Sequence, residues 1–248
     1  MKFFHLFKKI LNYKSTRTYG MRSSSNFVTY LRRGGVTVGH NVKFRYPKHT
    51  VIDMTRPSLI EIGNNVDIND NFTIMTHDFG TYVFRNLYND FVASSGRVKI
   101  GNNIYIGRDV TILKGVEIGD NCIIGLGSIV TKDIPSNSVA AGAPCKVICS
   151  IEEYYLRRKK MQIKEAIDLG ISIIENLNRQ PQITDFKEEW VLFLTDKDMK
   201  EHPEIIPEVN LRIRQTVDDF FKKHQVIYNG WESFLNEINK QYKQKHRV

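Results

Sequence analysis

Aliphatic residues recur at every sixth position through the middle of the chain. A strand that turns every six residues makes a triangular coil, in which the aliphatic side chain points inward and a small residue after it lets the backbone bend. Asn and Asp tolerate the left-handed conformation that the corners of such a coil require. The pattern therefore predicts a parallel β-helix. The aliphatic positions are Ile100, Ile106, Ile112, Ile118, Ile124 and Val130, and glycine follows at Gly101, Gly107, Gly119 and Gly125.

The same signature extends upstream with one irregular stretch. It is found at Ile62-Gly63, Ile68 and Ile74, and more faintly at Val38-Gly39 and Phe44. Phe44 and Ile62 are separated by three whole periods, but the positions in phase between them are Thr50 and Arg56. We expect one irregular coil there.

The spacing from Ile74 to Ile100 is not a multiple of six. Because a repeat cannot absorb stray residues without flipping its inward face, about Thr76 to Arg97 must leave the coil as an excursion loop. The loop is expected to contact a neighbouring subunit, a ligand or both, and Tyr82 and Arg85 are the candidate substrate-binding residues. Its large side chains are Tyr82, Phe84, Arg85, Tyr88 and Phe91.

Helices are expected after the repeats. Thr131-Lys-Asp-Ile-Pro135 stops the strands, and Val139 to Val147 is a run of small residues consistent with an extended closing segment. Amphipathic spacing predicts a helix over Glu152–Leu177, and further helices are expected near 209–224 and 231–242. We predict three parts: a basic N-terminal arm over 1–35, an all-β helix domain over 36–148, and an α-helical C-terminal extension over 149–248.

Charge is uneven along the 248 residues. The formal net charge is +9, and Asp53 is the first acidic residue. Anionic membranes and phosphate-bearing ligands fit this balance, whereas nucleic acid does not, since no stacking platform or nucleic-acid module accompanies the charge. The arm is interpreted as solvated, with peripheral membrane contact as the alternative. Its cations are Lys8, Lys9, Lys14, Arg17, Arg22, Arg32 and Arg33.

Cysteine and hydropathy patterns bear on the compartment. Cys122, Cys145 and Cys149 form neither a metal spacing nor an even disulfide set. Lys8 and Lys9 interrupt the first apolar run before it reaches signal-peptide length, and no apolar stretch is long enough to span a membrane. We expect a cytoplasmic protein, located at the inner face of the membrane if the basic arm binds lipid.

Two segments together resemble the hexapeptide-repeat acyltransferases, the group that includes galactoside, maltose and serine O-acetyltransferases. They are Ile100 to Pro135 and Ala141-Gly-Ala-Pro-Cys-Lys-Val147. The resemblance is greatest to the sugar O-acetyltransferases of bacterial polysaccharide biosynthesis and covers 36–148. It implies a left-handed β-helix with a protruding loop, acetyl-CoA as the donor, and a homotrimer with active sites between subunits.

The resemblance also implies a catalytic histidine. His77, in Met75-Thr-His-Asp78, corresponds to the family's histidine just before the loop. An alcohol is a weak nucleophile at neutral pH, and a positioned imidazole can take its proton. Asp78 is the weaker second candidate, to orient the imidazole, with a turn-forming role as the alternative. No metal is expected, because His40 and His49 lack the spacing with His77 found in zinc-binding γ-type carbonic anhydrases of this fold.

By motif position, the acetyl-CoA contacts implied by the resemblance fall on Arg108, Leu126, Thr131, Lys132 and Lys146. Two of them, Arg108 and Leu126, stand where the family usually has a small residue, so we expect a narrower channel beside the pantetheine. Cys149 replaces a second expected basic residue. Exposed lysines at strand ends also serve solubility, which is the alternative reading of Lys132 and Lys146.

The sequence thus predicts an acetyl-CoA-dependent O-acetyltransferase that acts on a sugar hydroxyl of a bacterial surface polysaccharide or its precursor. One alternative is N-acetylation of a nucleotide-linked amino sugar. Another is a non-catalytic solenoid that binds a glycan or scaffolds a complex. His77 and the Thr131-Lys132 ending argue against the non-catalytic alternative.

Overall fold

The computed structural model describes residues 20–213, 220–222 and 224–246. The chain divides into two compact units, residues 1–155 and 156–248. The division lies inside a long helix, a few residues beyond the boundary expected at 148.

The first unit contains three parallel sheets built from short strands. The strands are β1 Thr37–Val38, β2 Lys43–Phe44, β3 Val51–Ile52, β4 Ile60–Ile62, β5 Val66–Ile68, β6 Thr73–Ile74, β7 Val98–Ile100, β8 Ile104–Ile106, β9 Thr111–Ile112, β10 Glu117–Ile118, β11 Ile123–Ile124, β12 Ile129–Val130, β13 Ser138–Ala141 and β14 Lys146–Ser150. The first sheet has the order β1-β4-β7-β10, the second β14-β13-β11-β8-β5-β2, and the third β12-β9-β6-β3. All pairings are parallel except that of β13 with β14.

Three interior ladders hold these coils together. The predicted six-residue aliphatics stand in register on successive coils, for example Ile62 against Ile100 and Ile100 against Ile118. All six regular aliphatics from Ile100 to Val130 are fully buried. Burial of one such side chain contributes roughly 1.5–3 kcal/mol, so the ladders dominate the stability of the coil. The parallel β-helix predicted from the spacing is confirmed, and its left-handedness remains an implication of the family.

Asparagines form the corners, as the pattern predicted. Asn65, Asn103 and Asn121 have φ between 56° and 57°, in the left-handed region. Their side chains also bond from coil to coil, since Asn103 Nδ2 donates to Asn121 Oδ1 at 2.9 Å and Asn41 Nδ2 donates to Asn65 Oδ1 at 2.7 Å. Asparagine therefore supplies both the turn and a polar ladder along the edge.

The coil between β2 and β4 is irregular. It contains two short 3₁₀ helices, Pro47–His49 and Pro57–Leu59, and Ile52 rather than Thr50 supplies its inward aliphatic side chain. Thr50 is buried and its hydroxyl donates to the carbonyl of Tyr46 at 3.1 Å. The irregularity predicted from the phase is confirmed.

The segment between β6 and β7 leaves the sheets. It contains helix α2, Thr81–Tyr88, which ends at Asn89 in the left-handed conformation. The sequence predicted only a loop here. Most of its side chains are exposed, and only Thr81 is buried. Exposed in this segment are Phe79, Tyr82, Val83, Phe84, Leu87, Tyr88, Phe91 and Val92.

The N-terminal boundary differs from the prediction. Helix α1, Ser24–Arg33, is capped by Ser23 and buries Phe27, Val28 and Leu31 in the core of the β-helix. The described part of the predicted 1–35 arm is therefore packed rather than solvated. The charge of the segment obscured an apolar stripe with helical spacing. Residues 1–19, with Lys8, Lys9, Lys14 and Arg17, lie outside the described residues.

The closing segment of the β-helix is extended, as expected. Strands β13 and β14 form an antiparallel hairpin whose turn includes a cis peptide bond between Ala143 and Pro144. The backbone N–H of Cys145 donates to the carbonyl of Ile129 at 2.8 Å, which fixes the hairpin turn beside β12.

The C-terminal region is helical, as predicted. The α-helices with described bounds there are α3 Ile151–Leu177, α4 Asp196–Glu201, α5 Ile206–Arg212 and α6 Trp231–Lys245. An aromatic core fills the second unit, where Phe193 stacks on Phe234 with ring centroids 4.8 Å apart. The helix expected near 209–224 falls partly on residues that are not described. No helix in the described part of the chain is long and apolar enough to cross a membrane.

Candidate active site

His77 is paired with an aspartate from the preceding coil. Its Nδ1 atom lies 2.5 Å from Oδ2 of Asp53, which is 24 residues earlier in the chain. Strands β3 and β6 stand in register, with Ile52 opposite Ile74, so the residues that follow them leave the third sheet at the same corner. The side chain of Asp53 is 3% exposed and that of His77 is 24% exposed.

Four further hydrogen bonds hold the carboxylate of Asp53. Its Oδ1 accepts from Thr55 Oγ1 at 2.6 Å and from the Thr55 backbone N–H at 3.1 Å. Its Oδ2 accepts from Thr76 Oγ1 at 2.5 Å and from the Thr76 backbone N–H at 3.1 Å. Burial alone would raise the pKa of Asp53, but the hydrogen bonds from Thr55, Thr76 and His77 together hold it well below its usual range. Asp53 is therefore ionised at neutral pH.

An ionised Asp53 determines how His77 can react. The carboxylate accepts hydrogen bonds only, so the proton of a neutral imidazole lies on Nδ1, facing Asp53. Nε2 is then left with a lone pair that can accept a proton. The pair has the arrangement expected of a general base and the carboxylate that orients it.

Sequence reasoning missed Asp53. It lies in the irregular coil, where the six-residue spacing does not predict which residues lie opposite each other on neighbouring coils. Only the alignment of Ile52 with Ile74 places Asp53 beside the start of the excursion. The available signal was weak, since Asp53 is the first acidic residue of the chain and directly follows an aliphatic run.

Asp78 does not orient His77 in the structure. Its carboxylate is bound instead by the ammonium of Lys114, by Ser94 Oγ at 2.9 Å and by the backbone N–H of Gly80 at 3.0 Å. Lys114 and then Gly80 are the main reasons why the pKa of Asp78 lies well below its usual range. The side chain that contacts His77 is therefore Asp53, whereas that of Asp78 binds groups at the two ends of the excursion.

Tyr82 and Arg85 lie on α2 and are both exposed. The guanidinium of Arg85 lies over the ring of Tyr82, 5.7 Å from its centroid, which is within the range of a cation–π contact. Tyr82 and Arg85, the candidate substrate-binding residues, thus form one amphipathic surface on the excursion.

Two of the predicted donor contacts are neighbours. Arg108 and Leu126 occupy the same corner on adjacent coils, where the backbone N–H of Gly127 donates to the carbonyl of Arg108 at 2.8 Å. Arg108 Nη2 also lies 3.1 Å from Oδ2 of Asp70, a side chain that His49 Nδ1 contacts at 2.7 Å. The guanidinium of Arg108 is thereby held toward the coil of Asp70 rather than toward Leu126.

The other predicted donor contacts lie at the C-terminal end of the coil. Thr131 and Lys132 directly follow β12, and Lys146 begins β14; all three are exposed. The hairpin turn beside β12 brings both segments to one end of the β-helix. Across residues 20–213, 220–222 and 224–246, no group of three His, Cys, Asp or Glu side chains could hold a metal ion.

Comparisons with known proteins agree with the fold. The family model described as "Bacterial transferase hexapeptide (six repeats)" matches residues 97–132. Galactoside O-acetyltransferase of Escherichia coli (strain K12) is 41% identical over 131 residues, which is 51% of this chain and 62% of that protein. The chain thus matches less than two thirds of that relative's length.

Two further proteins are similar over about half of the chain or more. A solved structure of galactoside acetyltransferase in complex with coenzyme A is 31% identical to this chain. The similar region covers 84% of that structure and 62% of this chain, with a TM-score of 0.40. Protein CapG of Staphylococcus aureus is 42% identical over 124 residues, which is 50% of this chain and 71% of that protein. On the extent of the match with CapG and the repeat motif, the chain belongs to the bacterial hexapeptide-repeat transferase family.

Proposed function

We propose that the protein is an acetyl-CoA-dependent O-acetyltransferase that acts on a sugar hydroxyl of a bacterial surface polysaccharide or its precursor. The observation that carries the proposal is the His77–Asp53 pair at the base of the excursion. Matches to a galactoside O-acetyltransferase and to several proteins named putative acetyltransferases support the class of reaction.

In the proposed mechanism His77 acts as the general base. Its Nε2 atom takes the proton of the acceptor hydroxyl as the oxygen becomes a nucleophile. Asp53 keeps the ring in one orientation and stabilises the imidazolium that forms. Acetyl-CoA supplies an activated thioester carbonyl. The protonated His77 can then return its proton to the leaving thiolate, which regenerates the base.

The proposed donor site runs along the corner of Arg108 and Leu126 toward the basic end of the coil. Gly127 leaves space there, since no atom lies within 4 Å of the position its Cβ would take. Cations at Lys132 and Lys146 suit the phosphates of coenzyme A. The contact of Arg108 with Asp70 supports a donor site in which the guanidinium does not narrow the space beside Leu126.

We propose a left-handed coil and a homotrimer in which the excursion of one subunit contacts the next. The large exposed apolar side chains of the excursion support this arrangement, because an isolated soluble chain rarely exposes so many together. Tyr82 and Arg85 are the proposed acceptor contacts. Analytical ultracentrifugation of the full chain tests the trimer.

We also propose a cytoplasmic location, and peripheral contact of the basic N-terminus with the inner face of the membrane is the alternative to a solvated arm. Not every cation of that segment is available, because Arg32 donates to the backbone carbonyls of Val38 and Gly39 at 3.0 and 2.5 Å. Sedimentation with anionic vesicles, compared with neutral vesicles, tests the contact. Equal binding to the two would contradict it.

The proposed reaction is tested with acetyl-CoA and a panel of acceptors. Neutral glycosides, UDP-linked amino sugars and dTDP-linked amino sugars are each added, and free thiol is measured. Release with neutral glycosides and an alkali-labile acetyl ester in the product are expected. An alkali-stable amide on an amino sugar would favour N-acetylation instead. Glycan binding without thiol release for any acceptor would favour the non-catalytic solenoid.

The natural acceptor is identified by mass spectrometry of the host polysaccharide with and without the protein. O-acetyl groups that disappear with the protein are the expected result. An unchanged acetylation pattern would contradict an acceptor in that polysaccharide.

A further inference from the structure

The neck of the excursion is formed by three backbone segments. They are the outgoing residues 76–78, the returning residues 94–97 and the turn at 114–115. The N–H of Gly96 donates to the carbonyl of Thr76 at 2.9 Å, and the N–H of Gly115 donates to the carbonyl of Arg97 at 3.0 Å. A Cβ on Gly96 would lie 2.7 Å from the backbone nitrogen of Gly115. The returning segment is therefore pressed against the turn that carries Lys114.

One ammonium group joins the two sides of the neck. Lys114 contacts the carboxylate of Asp78 on the outgoing segment and the hydroxyl of Ser94 on the returning segment. Ser94 Oγ in turn donates to Asp78 Oδ2 at 2.9 Å. Lys114, Asp78 and Ser94 thus all contact one another. Without the ammonium of Lys114, the carboxylate of Asp78 keeps the hydrogen bonds from Ser94 Oγ and from the backbone N–H of Gly80.

His77 stands between two anchored neighbours. Thr76 is bound to Asp53, which belongs to the coil before it, and Asp78 is bound to Lys114, which belongs to the coil after it. Strand β6, which leads to His77, is paired with β3 on one side and β9 on the other. The backbone at His77 is thus fixed from both adjacent coils, and within the described part of the chain its ring contacts the side chain of Asp53.

An isolated ion pair between partly exposed groups contributes little to the free energy of unfolding. The side chains of Lys114 and Asp78 are 32% and 49% exposed. The same pair can affect the reaction rate when it joins the two ends of a loop beside a catalytic base. Small displacements of a catalytic group lower the rate strongly while leaving the fold intact.

We propose that Lys114 is a positioning residue, which holds the neck closed through Asp78 and Ser94 and so keeps the ring of His77 on Asp53 with Nε2 directed at the acceptor. The proposal rests on the proposed role of His77 as the base. Lys114 itself touches neither substrate nor the reacting atoms. Its effect is on the geometry of the base.

The test compares Lys114→Met, Lys114→Arg and Asp78→Asn with a matched control, Lys99→Met. Lys99 also forms an exposed ion pair, with Glu117 at 2.7 Å, but this pair joins β7 to β10 within the first sheet rather than the two sides of the excursion. In protein labelled with ¹⁵N-histidine, NMR reports the hydrogen-bonded Nδ1 proton of His77, assigned with His77→Ala. Thiol release from acetyl-CoA alone, with water as the acceptor, gives kcat and KM without an identified sugar.

We expect Lys114→Met and Asp78→Asn to broaden or abolish the Nδ1–H signal and to lower kcat roughly 10-fold to 100-fold, with KM changed less than about twofold. Lys114→Arg restores both readouts, and Lys99→Met changes neither. The midpoints of thermal unfolding of Lys114→Met and Lys99→Met should agree.

Equal NMR signals and equal kcat in Lys114→Met and Lys99→Met would overturn the proposal. So would unfolding of both Lys114→Met and Asp78→Asn, since the cluster would then be structural. A lost Nδ1–H signal in Lys114→Met, together with wild-type turnover in His77→Ala, supports the positioning and refutes the proposed base. Failure of the positioning role of Lys114 and failure of His77 as the base are therefore distinguishable.

Discussion

His77 and Asp53 meet, at 2.5 Å between Nδ1 and Oδ2, because two coils of the β-helix are stacked in register. The imidazole is on the segment that leaves the coil, and the carboxylate is buried on the coil before it. The same ladder that stabilises the fold therefore aligns the proposed base with the group that orients it.

Replacement of Asp53 is expected to reduce catalysis more than binding. In Asp53→Asn the charge that fixes the Nδ1 proton and stabilises the imidazolium is lost, so kcat should fall by about 10²-fold or more. KM for acetyl-CoA should change little. Steady-state kinetics on the folded variant checks the prediction. Asp67→Asn is the control, because Asp67 forms an ordinary ion pair with Arg45 on the second sheet. A similar kcat for the two variants would refute an orienting role.

Acid should remove the stability that Asp53 contributes. At neutral pH, Asp53→Asn should lower the free energy of unfolding by about 1–3 kcal/mol, through loss of charge-assisted hydrogen bonds in a buried site. The pKa of Asp53 is lowered in the folded state, so the unfolded chain takes up the proton first, below about pH 4.

The contribution of Asp53 to the free energy of unfolding is therefore fully present above about pH 4. It is lost as the pH falls through the lowered pKa of Asp53 in the folded state. Urea unfolding of both proteins from pH 7 to pH 2 should show a difference that shrinks on the acid side. A difference that grows with acid would mean that Asp53 is protonated in the folded protein.

The corner asparagines should tolerate glycine better than alanine. Asn103 has φ of 57° and donates to Asn121 at 2.9 Å. Alanine loses the hydrogen bond and also carries the left-handed strain of about 1–2 kcal/mol, whereas glycine avoids the strain. Chemical denaturation should therefore rank wild type above Asn103→Gly and Asn103→Gly above Asn103→Ala. Equal stability of the two variants would show that the backbone conformation costs nothing at this corner.

The interior ladders should be sensitive to lost volume. Ile106 is fully buried between Ile68 and Ile124, so Ile106→Ala should cost about 2–5 kcal/mol and Ile106→Val about 0.5–1.5 kcal/mol. The control is Ile129→Val, because Ile129 faces outward and is 41% exposed. Ile129→Val should lower the free energy of unfolding by no more than about 0.5 kcal/mol. Denaturant midpoints check the order, and a control as destabilised as Ile106→Val would contradict it.

The regular part of the fold was predictable because one local rule repeats. From Ile100 to Val130 an aliphatic residue recurs at every sixth position, and at four of the six positions glycine follows it. The start of the excursion was also predictable, because a break in a strict period is visible without knowing the structure. Together these placed His77 correctly at the edge of the repeat.

The rest depends on contacts that no local rule encodes. Asp53 lies in the irregular coil, and only stacking brings it to His77. Asp78 is adjacent to His77 in sequence, but its side chain binds Lys114 from the next coil. Helix α1 was hidden by its charges, although Phe27 and Leu31 have helical spacing and are buried. Contacts across coils decided the outcomes for Asp53 and Asp78.

The most direct test of the central claim is the turnover of His77→Ala with acetyl-CoA and the acceptor found in the screen. Thiol release is measured alongside circular dichroism, to show that the variant is folded. We expect kcat to fall by about 10²–10⁴-fold, the usual contribution of a positioned general base, with the unfolding midpoint close to that of the wild type. Wild-type turnover in folded His77→Ala would contradict the assignment of His77 as the base.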